Sequence, residues 1–272
     1  MSLRSGLGAM RRHMLCALDR REVRLENRDP IVSFSFDDFP RSAYSVGGSI
    51  LENFGARGTY YTACGLMNTC NELGDQFRMD DLDSLLDRGH ELASHTYSHL
   101  SARSVSCEAF CQDVEKGRQA IEKVTGADSL NFAYPFGHVT LCAKQALGKQ
   151  ALGKQALGMR LASARGIFPG FNGPQADLNL LRANSLYGDL DGAGHVEELI
   201  VENCRRKSWL IFYTHDVRPN PSPYGCTPAL LETAVSCAAQ SGCRILTVRE
   251  AMREAGIRSG SPDSHARQCV SS

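Results

Sequence analysis

Two pairs of residues in this chain have the types and spacing for chemistry at a divalent ion. The first is Asp37-Asp38, at the end of the apolar run in IVSFSFDDFP. Successive strand side chains face opposite ways, so adjacent acids cannot both be ordinary surface groups on one sheet face. Neighbouring carboxylates also raise each other's pKa unless something positive sits between them. Taken alone, the pair suits a solvated loop start or a helix N-cap equally well. The second pair is His95 and His99 in GHELASHTYSHLS, four residues apart directly after a strand-like run. One helical turn would bring both imidazoles to one side. Two neutral imidazoles and one carboxylate make a facial set for a divalent ion, with positions open for water and substrate.

The elements that must hold these residues alternate between short β-rich runs and amphipathic segments. Strands are expected at 31–36, 58–62, 91–94, 129–134, 163–167, 180–186, 209–214 and 244–248. Helices are expected at 43–54, 79–87, 106–124, 194–207 and 228–241. Such alternation predicts parallel βα units in an α/β fold, and seven or eight of them favour a distorted (β/α) barrel. In a parallel barrel the C-terminal strand ends converge on one rim, where active sites are built. Four ends carry unusual chemistry: Asp37-Asp38, His95-x3-His99, Tyr134-Pro135-Phe136-Gly137 and Thr214-His215-Asp216. Their agreement in location tips the acidic pair toward function.

The 272 residues carry thirty basic and thirty acidic side chains, which leaves no electrostatic footprint for nucleic acid. The apolar runs are too short to span a membrane, and no glycine-rich nucleotide signature follows the first strand. The eleven cysteines are odd in number and scattered, without a Cys-x-x-Cys pair. With no apolar leader at the N-terminus, they read as thiols of a reducing cytoplasm. The domain is expected over 29–256, after an N-terminal extension (1–28) and before a polar, disordered tail (257–272). A perfect pentad, KQALG, occurs three times from Lys144 to Gly158. Five residues advance a helix by about 500°, so its leucines spiral instead of forming a stripe. It reads as a tandem duplication absorbed in a helix extension or loop.

Together these motifs resemble the polysaccharide deacetylases of the NodB-homology type, carbohydrate esterase family 4. SFDD resembles that family's first motif, HTYSH the second, AYPFG the third and YTH the fifth, spread over about 31–252. The resemblance implies a distorted (β/α) barrel and metal-dependent removal of N-acetyl groups from an amino sugar in an oligo- or polysaccharide. It implies that Asp38, His95 and His99 bind the ion (zinc first, with cobalt, nickel or manganese as alternatives). Asp37 would be the general base, His215 the general acid, and the backbone N–H of Phe136 a donor to the oxyanion.

The chain departs from the family pattern where the third motif's arginine would stand, at Ala133. Arg182, a charge among the apolar neighbours of LNLLRANSLYG, is the candidate replacement beside Asp37. Tyr134 and Pro135 are candidates to support the site, and Tyr97, between the two histidines, to contact substrate. Phe39, Tyr44, Tyr60, Tyr61 and Tyr187 are further aromatics able to stack on sugars. No clear fourth motif exists, Asp216 is poorly placed to orient the adjacent His215, and His138 suits the site rim or the surface equally. His90 reads as a structural residue closing a turn. The expected partner is an N-acetylated glycan, with the oligomeric state open and a cytoplasmic location. Two rivals stand beside this reading: a same-fold amidase of small amides, imides or ureides, and an inactive carbohydrate-binding relic.

Overall fold

The computed structural model describes residues 14–25, 29–126, 131–148 and 161–255. Eight short strands form one parallel sheet: β1 (Ile31–Asp37), β2 (Thr59–Thr62), β3 (Glu91–Ser94), β4 (Asn131–Ala133), β5 (Ser163–Arg165), β6 (Asn184–Ser185), β7 (Trp209–Thr214) and β8 (Arg244–Ile245). Seven follow the order β6-β7-β1-β2-β3-β4-β5, and β8 pairs with β1. Along one edge of β1 the register runs from Trp209 opposite Ile31 to Thr214 opposite Phe36. Along the other, β8 takes Ile31 and Val32, and β2 takes Ser35 to Asp37. The sheet curls into a half-barrel. The irregular stretch 178–183 follows β5, with Ala164 N–H donating to Leu178 O (2.8 Å) and Gly166 N–H to Leu181 O (3.0 Å). This is the distorted barrel expected from the strand–helix alternation.

Strand alternation sorts the core into an inside and an outside. Ile31, Trp209, Ile211, Tyr213, Tyr61, Ala93 and Ala133 form the inner apolar cluster. Val32, Phe34, Phe36, Tyr60, Leu92, Leu210 and Phe212, the alternate residues, pack outward with the helices. Fully burying a side chain of this size contributes about 1.5–3 kcal/mol, so a one-residue register slip in β1 or β7 is strongly disfavoured. The same parity aims the strand ends: Asp37 continues the inward series of β1, and His95, Arg165 and His215 continue those of β3, β5 and β7.

The helices that fix this packing have explicit start signals. The helix Cys107–Thr125 is capped by Ser106, whose Oγ accepts from Ala109 N–H (3.2 Å), and ends at Gly126 in the left-handed region. Pro228–Gln240 starts with Thr227 as N-cap and proline in its first turn. The first KQALG copy lies in the helix Leu141–Gly148. Its Lys144 is buried and donates to Leu15 O (2.8 Å), Leu18 O (2.7 Å) and Asp177 Oδ2 (2.7 Å), clamping the N-terminal segment. The other two copies, and the tail 257–272 read as disordered, lie outside the described residues.

Some expectations fail locally. The segment 43–54 is not one α-helix: a π-helical stretch, Ala43–Gly48, precedes a short α-helix, Ser49–Asn53. Cys107 is not a free thiol, because it forms a disulfide with Cys142 that ties two helices together. Disulfides persist in oxidising surroundings, which sets this pair apart from the reducing cytoplasm read from the cysteine pattern. Among the described residues no helix is long and apolar enough to cross a membrane.

Candidate metal and catalytic site

Adjacent acids both reach the site because the backbone breaks the strand between them. Asp37 points inward by parity. Asp38 has φ of 66° and Phe39 of 70°, a conformation rare for residues with a Cβ. That kink swings the Asp38 carboxylate to the same side, while Phe39 is pinned against Phe77 with ring centroids 5.0 Å apart. Thr96, His99 and Phe136 also have positive φ, so five non-glycine residues of this kind border the site. Each costs on the order of 1–3 kcal/mol and persists only where packing imposes it, a pattern typical of functional sites.

Asp38, His95 and His99 place one ligand atom each within 4.8 Å of one another. The Nε2 atoms of His95 and His99 lie 3.3 and 2.9 Å from Asp38 Oδ1. His95 Nδ1 is 2.8 Å from the Ala133 carbonyl, which can only accept, so the proton belongs on Nδ1 and Nε2 presents a lone pair. Asp38 Oδ1 is buried and has no hydrogen-bond donor among the described residues, although both imidazoles are within ion-pair reach. A lone pair facing an unsatisfied carboxylate oxygen is an arrangement that a cation between them would satisfy. Burial works against ionisation of Asp38, but when the imidazoles turn an N–H toward it their contacts outweigh burial and hold its carboxyl well below the usual range. Two imidazoles and a carboxylate suit zinc or another borderline divalent ion, so the residues fit the ion that the motifs imply.

The His95–His99 segment is not the helical turn expected from its spacing. It is a loop with Thr96 and His99 at φ of 63° and 56°, closed by Leu100 N–H on Thr96 Oγ1 (3.2 Å). Asp113, from the helix Cys107–Thr125, accepts from Tyr97 N–H (3.1 Å), Ser98 N–H (2.9 Å) and Ser98 Oγ (2.9 Å). Gly117, one turn further, lets the helix touch the loop: a Cβ there would lie 2.6 Å from the Thr96 carbonyl. Sequence reasoning missed both, though an acid on the buried face of an amphipathic helix was a readable signal. Asp113→Ala is expected to weaken zinc binding about 10- to 100-fold, as loss of outer partners does elsewhere. Gly117→Ala is expected to do the same by displacing the loop. Competition with a chromogenic chelator measures both, and unchanged affinity would separate this brace from the candidate metal site.

Asp37 is buried and ion-paired with Arg165, whose other terminal nitrogen donates to Gly166 O (3.0 Å). The guanidinium lies over the rings of Tyr61 (4.8 Å) and Tyr213 (5.1 Å), filling the barrel interior beneath the site. Burial alone would lower the Arg165 pKa, but Asp37 and these tyrosines reverse that and raise it. Arg165, not Arg182, therefore replaces the missing motif arginine. Arg182 is exposed and donates to Pro169 O (3.0 Å), because the irregular stretch turns Leu181 and Ala183 inward and Arg182 out. The overlooked signal was an arginine inside the strand-like LASARGIF.

His215 follows β7, beside the end of β1. Its Nδ1 and its backbone N–H both meet the Tyr224 carbonyl, at 3.0 and 3.1 Å, so the proton sits on Nδ1 and Nε2 is left for chemistry. A backbone carbonyl thus orients it. Asp216 does not: its carboxylate accepts from Ser222 N–H (2.9 Å) and Ser222 Oγ and pairs with Arg218 Nε (2.7 Å). Phe136 has an exposed ring, centred 4.5 Å from that of His99. The turn's own bonds run from Gly137 N–H to Tyr134 O and His138 N–H to Pro135 O, so neither uses the Phe136 amide.

Two other candidates lie elsewhere. Tyr134 faces outward and packs with Phe110 and Phe132, so only its backbone shapes the turn, with buried Pro135 as the first residue of a 3-10 turn. The Tyr97 ring lies under Lys116 (3.7 Å) and against Gly65, on the helix side of the loop. Phe39, Tyr44, Tyr60 and Tyr61 are buried, which leaves Tyr187, centred 6.1 Å from the His215 ring, at the site. His138 borders the rim, with Nδ1 2.8 Å from Ser101 Oγ. His90 is structural: it accepts from Gly58 N–H (3.0 Å) and meets Glu52 at 2.8 Å.

The curled parallel barrel, with the Asp38–His95–His99 cluster and an arginine-paired carboxylate at its C-terminal rim, has a NodB-type deacetylase fold. Residues 24–153, just under half of the chain, match the family model described as polysaccharide deacetylase. Among solved structures, the chain is similar to the Xyl-CE4 domain of a multidomain xylanase from the hindgut metagenome of Trinervitermes trinervoides. That likeness has a TM-score of 0.57 at 17% identity over 85% of this chain and 93% of that one. A family 4 acetyl xylan esterase from Clostridium thermocellum, in complex with a cobalt ion, gives 0.56 at 16% identity over 84% and 93%. A peptidoglycan N-acetylglucosamine deacetylase, Bc1960, gives 0.52 at 13% over 84% and 90%. At these identities the likeness is one of fold. No curated protein matches the chain.

Proposed function

We propose that the protein is a metal-dependent hydrolase that removes N-acetyl groups from amino sugars of an oligo- or polysaccharide, with zinc as the ion. The observation that carries this reading is the buried Asp37–Arg165 pair next to the Asp38–His95–His99 triad, with His215 on the adjoining strand. A divalent ion held by the triad supplies Lewis-acid polarisation of the acyl carbonyl and acidifies water. Asp37, held in place by Arg165, takes the proton of the attacking water. The Phe136 N–H, presented by the Pro135–Gly137 turn, donates to the oxygen on which negative charge develops. An amine leaves poorly unless protonated, and His215 gives it a proton from Nε2 while Nδ1–H stays on the Tyr224 carbonyl. Strain at Asp38, His99 and Phe136 fixes these groups before substrate arrives.

The test is acetate release by zinc-loaded protein from N-acetylglucosamine oligomers, beside an acetylated xylan and small cyclic imides. Release from the amino sugars supports the reading. Turnover of xylan or imides alone would move the activity to an esterase or a small-amide hydrolase, and no turnover at all to the relic. Cytoplasmic residence, expected from the cysteine pattern, has its own check: mass spectrometry of protein alkylated at lysis. The bonded pair of the structure predicts that Cys107 and Cys142 resist alkylation, and free thiols at both would instead accord with cytoplasmic residence.

A further inference from the structure

Tyr224 is a large aromatic left 52% exposed, yet its backbone is among the most firmly braced near the site. Its carbonyl accepts twice from His215 (3.0 and 3.1 Å), and its N–H donates to Ser222 Oγ (3.2 Å). Ser222 is in turn tied to the buried carboxylate of Asp216, and the next residue, Gly225, packs so closely on Asp216 that a Cβ would clash. The ring is therefore displayed on a rigid turn.

The ring also ends a series leading out of the barrel. Arg165 lies over Tyr213, Tyr213 meets Tyr187 edge-on (5.5 Å), and Tyr187 meets Tyr224 edge-on (6.2 Å). The Tyr224 and His215 rings are centred 5.8 Å apart. With His215 serving the leaving amine as proposed, the sugar bearing that amine would lie on the His215 side, and the acyl group toward the triad and the Phe136 amide. The apolar face of a pyranose matches an aromatic face, and a pre-positioned ring binds it with little ordering cost. On that placement Tyr187, nearer the interior, would border the reacting sugar, and Tyr224 would stand one step further out.

Resting on the proposed deacetylase activity, we infer that Tyr224 is a stacking platform for a second sugar on the leaving-amine side, which makes the substrate an oligosaccharide rather than a single amino sugar. The experiment compares zinc-loaded wild type, Tyr224→Ala and Tyr224→Phe. Calorimetry measures binding of the β-1,4 glucosamine tetramer and of glucosamine, neither of which has an acetyl group to lose. Acetate release from the N-acetylated tetramer is followed in parallel. Wild type is expected to bind the tetramer about tenfold more tightly than the monomer, and Tyr224→Ala to lose most of that difference with monomer binding unchanged. Tyr224→Phe should stay within about twofold of wild type, and the alanine effect on release should fall on KM more than on kcat. The carbonyl contact with His215 survives these substitutions, and Tyr224→Leu, which keeps bulk without an aromatic face and should lose the tetramer preference as alanine does, carries the test should the alanine variant fold poorly. The inference is overturned by equal binding of the two probes, by alanine losses equal for both, or by a phenylalanine variant as weak as alanine. Acetate release with no alanine effect would overturn the platform alone. The expected binding pattern without acetate release would overturn the deacetylase reading alone.

Discussion

Arg165→Met is expected to lower stability by about 3–5 kcal/mol and acetate release by about 100-fold or more. Arg165 and Asp37 are 128 positions apart in the chain and meet in the barrel interior, where both are shielded from water. Methionine leaves a buried carboxylate with no counter-charge, and the lost guanidinium also leaves Tyr61 and Tyr213 without the cation between their rings. Denaturant unfolding of the zinc-loaded protein measures the stability loss. The double variant Asp37→Asn, Arg165→Met should recover a large part of the stability and none of the activity, because only the pair is costly to break singly. Arg182→Ala, at an exposed site, should stay within about 0.5 kcal/mol and twofold in rate. A milder effect at Arg165 than at Arg182 would return the role to the residue first favoured.

His215→Ala is expected to reduce kcat on an N-acetylated amino sugar by about 10²- to 10⁴-fold, the range for loss of a general acid, with metal content unchanged. The fall should be much smaller, about tenfold or less, on nitrophenyl acetate, whose leaving group departs without a proton. This split separates proton donation from a general disturbance of the site. Among the described residues the side chain bonds only to a backbone carbonyl on a braced turn, so its loss leaves the turn's other hydrogen bonds intact. Equal losses on both substrates would reject the acid role.

How much of this was legible in the sequence depends on the distance over which each feature is determined. β3, β7 and the helix Met79–Asp87 end where the apolar pattern ends, because alternation and amphipathicity are local. That Asp38, His95 and His99 cluster was expected from the family resemblance, and the strand ends do bring these short motifs to one rim. What was not legible is how they get there. Spacing alone favoured a helical turn for His95–His99, whereas Asp113 and Gly117 from a later helix hold a strained loop instead. Apolar neighbours favour Arg182 in the sequence, yet strand parity selects Arg165. Arg165 falls on the inward series of β5, and Arg182 sits in an irregular stretch that turns it out. The Tyr224 carbonyl behind His215 had no side-chain signal to read, since any residue supplies a carbonyl.

The most direct measurement is acetate release from an N-acetylglucosamine oligomer by chelated protein, by the same protein with one equivalent of zinc restored, and by zinc-loaded Asp37→Asn. Bound zinc is counted in each sample. The account predicts release only in the zinc-restored wild type, and a fall of about 10²- to 10⁴-fold in Asp37→Asn at undiminished zinc content. Release that persists without metal, or an Asp37→Asn variant that holds zinc and turns over like wild type, would contradict it.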